Sequence, residues 1–114
     1  MKKSTMLKYL EYASLCELKA KDYKVFLFII SDLIESNEIR NNQNTTAEHL
    51  GITKSDVSKA LRRLEKNKIL SFSWVSIRKK LITLVPYDDD ELDELISEKI
   101  EENIDRAIDD DWED

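Results

Sequence analysis

Eight polar or charged side chains crowd one short stretch of this 114-residue chain: Thr53, Lys54, Ser55, Asp56, Ser58, Lys59, Arg62 and Arg63. Thr46 precedes them, and the run Arg78, Lys79, Lys80 follows. Hydroxyls and cations spaced three and four residues apart line up along one side of a helix. There they can donate to phosphate oxygens and to base edges in the major groove of duplex DNA. A capping hydroxyl at a helix N-terminus, here Thr53, also suits phosphate. Other chemistry is poorly provided for. Cys16 is the only cysteine and His49 the only histidine, too few for a disulfide within the chain or for a zinc site. Cys16 lies among leucines and reads as a buried structural thiol, and His49 as a surface residue. No nucleophile–base pair is evident, so the expectation is a protein that is not an enzyme and holds no cofactor and no metal.

The elements that would position these residues follow from spacing. Residues 4–17 read as a helix capped by Ser4 or Thr5, with Met6, Leu7, Leu10 and Ala13 at helical intervals. Residues 20–36 form a more apolar helix, its core side made of Val25, Phe26, Ile29, Ile30, Leu33 and Ile34. Residues 37–44, rich in Asn, read as a loop. Thr45 and Glu48 stand at capping-box spacing, opening a short helix that Gly51 ends in a left-handed conformation. Thr53, with Asp56 three positions on, opens a longer helix over 54–66. Val57, Ala60, Leu61 and Leu64 are its buried stripe, and Asn67 is its left-handed stop. Ser55, Lys59, Arg62, Arg63 and Lys66 fall outside that stripe. Residues 70–76 and 81–85 have strand composition, with a turn at 77–80 and Pro86 closing the pair. Phe72 and Trp74 share one strand face, which predicts a core role for Trp74.

Charge divides the chain. Residues 1–86 carry sixteen Lys and Arg against nine Asp and Glu, whereas residues 87–114 carry two against fifteen. A local basic face sets attraction to phosphate, because charges beyond a Debye length, about 8–10 Å, are screened. The net charge of −6 therefore describes neither part. The acidic part has its own apolar pattern: Leu92, Leu95, Ile96, Ile100, Ile104, Ala107 and Ile108 recur at helical spacing. Asp88, Asp89 and Asp90 fit the N-terminus of that helix better than a cation site. The organisation expected is a domain over 1–86 followed by an acidic C-terminal helix or tail over 87–114. No apolar run approaches the ~20 residues that span a bilayer, and no signal core follows Met1, so the expected location is cytoplasmic, with no membrane partner.

The order helix, helix, basic helix, strand, basic turn, strand resembles the winged helix-turn-helix superfamily over about residues 18–86. The segment Thr46-Ala47-Glu48-His49-Leu50-Gly51-Ile52-Thr53-Lys54-Ser55-Asp56-Val57-Ser58-Lys59-Ala60-Leu61-Arg62-Arg63-Leu64-Glu65 carries it. This stretch is similar to one shared by multiple-antibiotic-resistance (MarR)-type regulators and by replication proteins of small Gram-positive plasmids and phages. The resemblance implies a mainly α fold with a small β-hairpin, flanked by an N-terminal helix and the acidic amphipathic helix. It implies base reading by Ser55, Asp56, Ser58, Lys59 and Arg62, with Arg78, Lys79 and Lys80 as a wing. The wing turn departs from the usual pattern in having no glycine, and MarR-type terminal helices are not usually so acidic.

The expected function is sequence-specific binding of double-stranded DNA, with transcriptional regulation as the leading role. A plasmid or phage replication or partition protein is the alternative, and a protein–protein module without DNA binding is the rival from another class. The tail has three readings: dimerisation on the N-terminal helix of a second copy, autoinhibition over the basic face, or recruitment of a protein partner. Its apolar stripe favours the homodimer, which would set two recognition helices in successive major grooves, roughly 34 Å apart.

Overall fold

The structure, a computed structural model, describes residues 2–36, 38–39, 41–77 and 79–112, with backbone alone at Lys79 and 108–112. Among these residues the chain is mainly helical with one small antiparallel sheet. Its elements are α1 (Lys3–Leu15), α2 (Ala20–Glu35), α3 (Gln43–Leu50), α4 (Lys54–Lys66), β1 (Leu70–Ser76), β2 (Lys79–Leu84) and α5 (Asp89–Trp112). Among the described residues no helix is long and apolar enough to cross a membrane.

The chain divides into two compact units. One is Leu18–Pro86; the other joins Lys2–Glu17 to the residues from Tyr87 onward. The division falls after Pro86, and residues 2–17 group with the acidic helix and not with 18–86. The physical reason is that α1 buries Tyr9, Tyr12 and Ala13, with Cys16 buried at its C-cap, while α5 buries Leu92 and Ile96, and the two helices pack on each other.

In the first unit, α2 supplies the core. Val25, Phe26, Ile29, Ile30 and Leu33 are buried, while Ile34 is half-buried and Leu27 faces solvent. Helix α4 packs on α2 and on α3 through Val57, Ala60, Leu61 and Leu64, all buried. Helix α3 begins earlier than its Thr45 cap would place it. Asn42 is the N-cap, its Oδ1 accepting from the Thr45 N–H at 2.8 Å. Asn offers the same capping acceptor as Thr, and the helix gains a turn by starting at Gln43.

Gly51 closes α3 at φ +68°, with the Ile52 N–H reaching back to the Ala47 carbonyl at 3.0 Å. That six-to-one bond defines a Schellman end. A Cβ at Gly51 would meet nothing within 4 Å, so the glycine is needed for its backbone conformation and not for space. Helix α4 ends in the same way, but with a different residue from the one expected. Asn67 sits at φ −85° and Lys68 takes the left-handed conformation at φ +61°. Asn67 instead donates from Nδ2 to the Arg63 carbonyl at 2.8 Å. The Ile69 N–H reaches the Leu64 carbonyl at 3.0 Å, and Ile69 is fully buried. Burying Ile69 fixes which residue must turn, and it is the one before it.

The sheet is a hairpin with Leu70 opposite Leu84, Phe72 opposite Ile82 and Trp74 opposite Lys80. Its reversal is tighter than the expected 77–80, because Lys79 already pairs with Ser76. The register breaks between Trp74 and Ser76, leaving Val75 as the extra residue of a bulge. Leu70 and Leu84 are buried at the base; outward from there β1 is mostly exposed.

In the second unit, α1 starts at Lys3 with Lys2 as N-cap and no capping side chain. Thr5, one of the two expected caps, instead donates from Oγ1 to Asp89 Oδ1 at 2.7 Å. Asp88 caps α5, accepting from the Glu91 N–H at 2.8 Å while Glu91 accepts from the Asp88 N–H at 3.3 Å. The acidic triplet thus serves the helix N-terminus. Tyr87 completes an aromatic group with Tyr9 and Tyr12, at ring-centre distances of 6.2 and 6.4 Å. Cys16 is buried, and burial pushes its thiol pKa up, as an inert structural thiol requires.

Candidate nucleic-acid interface

Helix α4 turns 100° per residue, so its buried stripe of Val57, Ala60, Leu61 and Leu64 fixes which residues lie opposite. Those are Ser55, Lys59, Arg62 and Lys66, all exposed. Among the described residues no ion pair or hydrogen bond engages the side chain of Lys59, Arg62 or Lys66, nor that of Lys54, which is also exposed. Lys66 was outside the expected set, although its spacing of four from Arg62 and seven from Lys59 puts it on their face.

The flank of α4 turned toward α2 is different. Arg63 donates from Nη1 to Asp22 Oδ1 at 3.0 Å, and the Asp22 side chain is fully buried. Asp22 also accepts from the Lys19 N–H at 2.9 Å, holding the start of α2. Two turns earlier, Asp56 is engaged twice. It accepts from the Thr53 N–H at 3.1 Å in a reciprocal capping box, with Thr53 Oγ1 accepting from the Asp56 N–H at 3.0 Å. Lys21 of α2 reaches the same carboxylate at 3.1 Å. Two of the expected contact residues, Asp56 and Arg63, therefore hold α4 to α2.

The Thr53 backbone and hydroxyl, with Lys21, bring the Asp56 pKa down to about 2 from an ordinary value of 3.8. A depressed carboxylate stabilises the fold above its ordinary pKa, and that contribution is lost as pH falls toward the folded-state value. Thermal unfolding between about pH 4 and pH 2 should therefore show less acid sensitivity in Asp56→Asn than in the parent. Parallel pH curves for the two proteins would show that the Asp56 charge does not act.

The remaining expected residues separate clearly. Thr53 is exposed at the cap, Lys54 and Ser55 are exposed beside it, and Ser58 is half-buried. Thr46 is only 2% exposed and lines a cleft of about 340 Å³ with Val25, Ile29, Val57, Leu61 and Ile82. It faces that interior, as its place on the packed side of α3 demands. Lys80 is exposed and sets its ammonium 4.0 Å from the centre of the Phe72 ring, a cation–π contact within one hairpin. Arg78 lies outside the described residues, and Lys79 contributes its backbone to β2. His49 is exposed, its ring edge-on to Phe28 at 6.0 Å.

Trp74 reverses its expectation. It is 69% exposed, although it shares a face with the half-buried Phe72. The expectation assumed that a strand face is covered along its whole length. Here the helices cover only the base of the hairpin, and Val75 and Ile77 are exposed as well.

No family model, no curated protein and no solved structure matches this chain. The architecture established is mainly helical with a two-stranded antiparallel sheet, and its reading as an interface rests on its own residues.

Proposed function

We propose that the Leu18–Pro86 unit is a winged helix-turn-helix that binds specific double-stranded DNA. In this reading α3 and α4 are the two helices of the motif, with α4 in the major groove and the β1–β2 hairpin as the wing. One observation carries it. The outward face of α4 presents Ser55, Lys59, Arg62 and Lys66 to solvent with no hydrogen-bond or ion-pair partner among the described residues, while the acidic residue on that helix nearest α2, Asp56, is neutralised from behind. Cations left unpaired on a helix that is itself firmly held are placed to meet an external anion at little ordering cost. The capped N-terminus of α4 adds a dipole end and the Thr53 hydroxyl for phosphate.

The role favoured is transcriptional regulation by a homodimer, and the alternative remains replication or partition of a plasmid or phage. On the α1–α5 unit, Leu7, Ile100 and Ile104 are exposed and give a second copy an apolar surface to cover. The first turns of the α5 stripe, by contrast, are already used within the chain.

The test begins with a site selected from a random duplex pool. Lys59→Ala and Arg62→Ala should each weaken binding to that site by about 1–3 kcal/mol, roughly fivefold to over a hundredfold, read by fluorescence anisotropy. Neither should shift the unfolding midpoint, since both side chains are exposed. Wild-type affinity in both variants refutes the assignment.

A further inference from the structure

The hairpin exposes an aromatic and apolar end that the recognition helix does not account for. Trp74, Val75 and Ile77 are 69, 62 and 96% exposed. A two-stranded hairpin is only marginally stable, so apolar side chains at its far end gain nothing from solvent and contribute little to the fold. The Val75 bulge gives the strand an extra residue at this point and alters the aim of its neighbours.

Two features limit what could cover this end. Its own sequence charge is of one sign: from Leu70 to Leu84 the hairpin holds three cations and no carboxylate. The Trp74 ring is also free. The Lys80 ammonium, directly across the strands, sits over Phe72 instead, and no ring contact involves Trp74 among the described residues. A partner must therefore be anionic and offer flat apolar faces. Unpaired nucleobases on a phosphate backbone meet both conditions, and stacking on them is worth about 1–3 kcal/mol per base. An acidic protein surface meets the first condition only. Apolar side chains inserted at a base step unstack it, and the cost is least where pairing is already lost.

We infer that the Trp74–Ile77 end of the hairpin is a base-stacking wedge, so that the preferred ligand is duplex DNA containing an unpaired or readily unstacked step. This rests on the DNA-binding reading and sharpens its substrate. It places the hairpin in contact with bases as well as backbone, with Trp74 as the stacking residue and Lys80 close enough to reach an adjoining phosphate.

The experiment uses the full chain carrying Trp112→Phe, so that Trp74 is the sole indole. Affinity and Trp fluorescence are followed on a short duplex of random sequence and on the same duplex with a central mismatched bubble. Vesicles containing phosphatidylglycerol serve as a second anionic surface. The bubble duplex should bind at least about fivefold tighter, the fold-change matching one kcal/mol of stacking, and should quench Trp74. Trp74→Ala should abolish that preference, so that the bubble and intact duplexes bind with equal affinity. Trp74→Phe, which keeps a ring, should retain most of it. The inference is overturned if the parent shows no preference, if Trp74→Ala keeps it, or if Trp74 responds to vesicles and not to DNA. Failure to bind either duplex overturns the DNA reading itself, a result distinguishable from loss of the preference alone.

Discussion

Arg63→Ala is expected to lower the stability of the Leu18–Pro86 unit by about 2–3 kcal/mol, while Arg62→Ala, one residue away, changes it by less than about 0.5 kcal/mol. The difference lies in what each guanidinium touches. Arg62 is exposed and unpartnered. Arg63 is the side-chain partner of Asp22, whose carboxylate is fully buried. Removing the partner of a buried charge costs about 3–5 kcal/mol because the remaining ion is left uncompensated. Arg63 is itself 34% exposed, so water can enter the vacated site, and the Lys19 N–H still serves the other carboxylate oxygen. Both push the expected cost toward the lower end. In the Asp22→Ala background, Arg63→Ala should cost at least about 1 kcal/mol less than it does alone, since no buried anion is then stranded. Urea unfolding of the four proteins in the cycle measures this directly. Equal effects of Arg62→Ala and Arg63→Ala would show that the ion pair does not hold α4 to α2.

This pair also shows where sequence stops being informative. Both arginines lie outside the apolar stripe of α4, and spacing alone gives them the same standing. Which one is paid out to structure depends on Asp22, forty-one positions earlier, a distance in sequence that no local pattern spans. Features that depend on nearby residues were legible. The Thr53–Asp56 capping box, the left-handed Gly51 and the core side of α2 each follow from chemistry within a few positions. Where two residues could serve one local role, the packing decided. Asn42 caps α3 in place of Thr45, and Lys68 turns in place of Asn67 because Ile69 must be buried. Trp74 failed for a related reason. Alternation in a strand tells which residues share a face, and only the surrounding elements determine how far along the strand that face is covered. The acidic segment was legible as an amphipathic helix, but its pattern carried no information on whether its partner was a second copy or α1 of the same chain.

Leu92→Ala should destabilise the α1–α5 pairing by about 2–4 kcal/mol, the usual cost of removing a fully buried leucine side chain. The two helices run parallel, since their contacts advance together: Thr5 with Asp89, Lys8 with Asp93, the Leu15 carbonyl with Asn103, and Glu17 with Arg106. Most of these polar contacts lie at the surface. Lys8 and Asp93 are 3.0 Å apart but their side chains are 26 and 59% exposed, a setting in which an ion pair is worth less than about 1 kcal/mol. Fixing a helix as acidic as α5 against its own repulsion therefore falls to Leu92 and Ile96 packed on Tyr9, Tyr12, Ala13 and Cys16. Helix α5 has 24 residues against 13 in α1 and outruns it, which leaves Ile104 at 53% exposure. In the isolated chain Ile104→Ala should thus cost no more than about 0.5 kcal/mol. Hydrogen exchange provides the sharper measurement, because each helix is held by the other: in Leu92→Ala the amides of α1 and α5 should lose protection together. If α5 exchanges faster while α1 keeps its protection, or if Leu92→Ala costs no more than Ile104→Ala, the buried stripe is not what joins them.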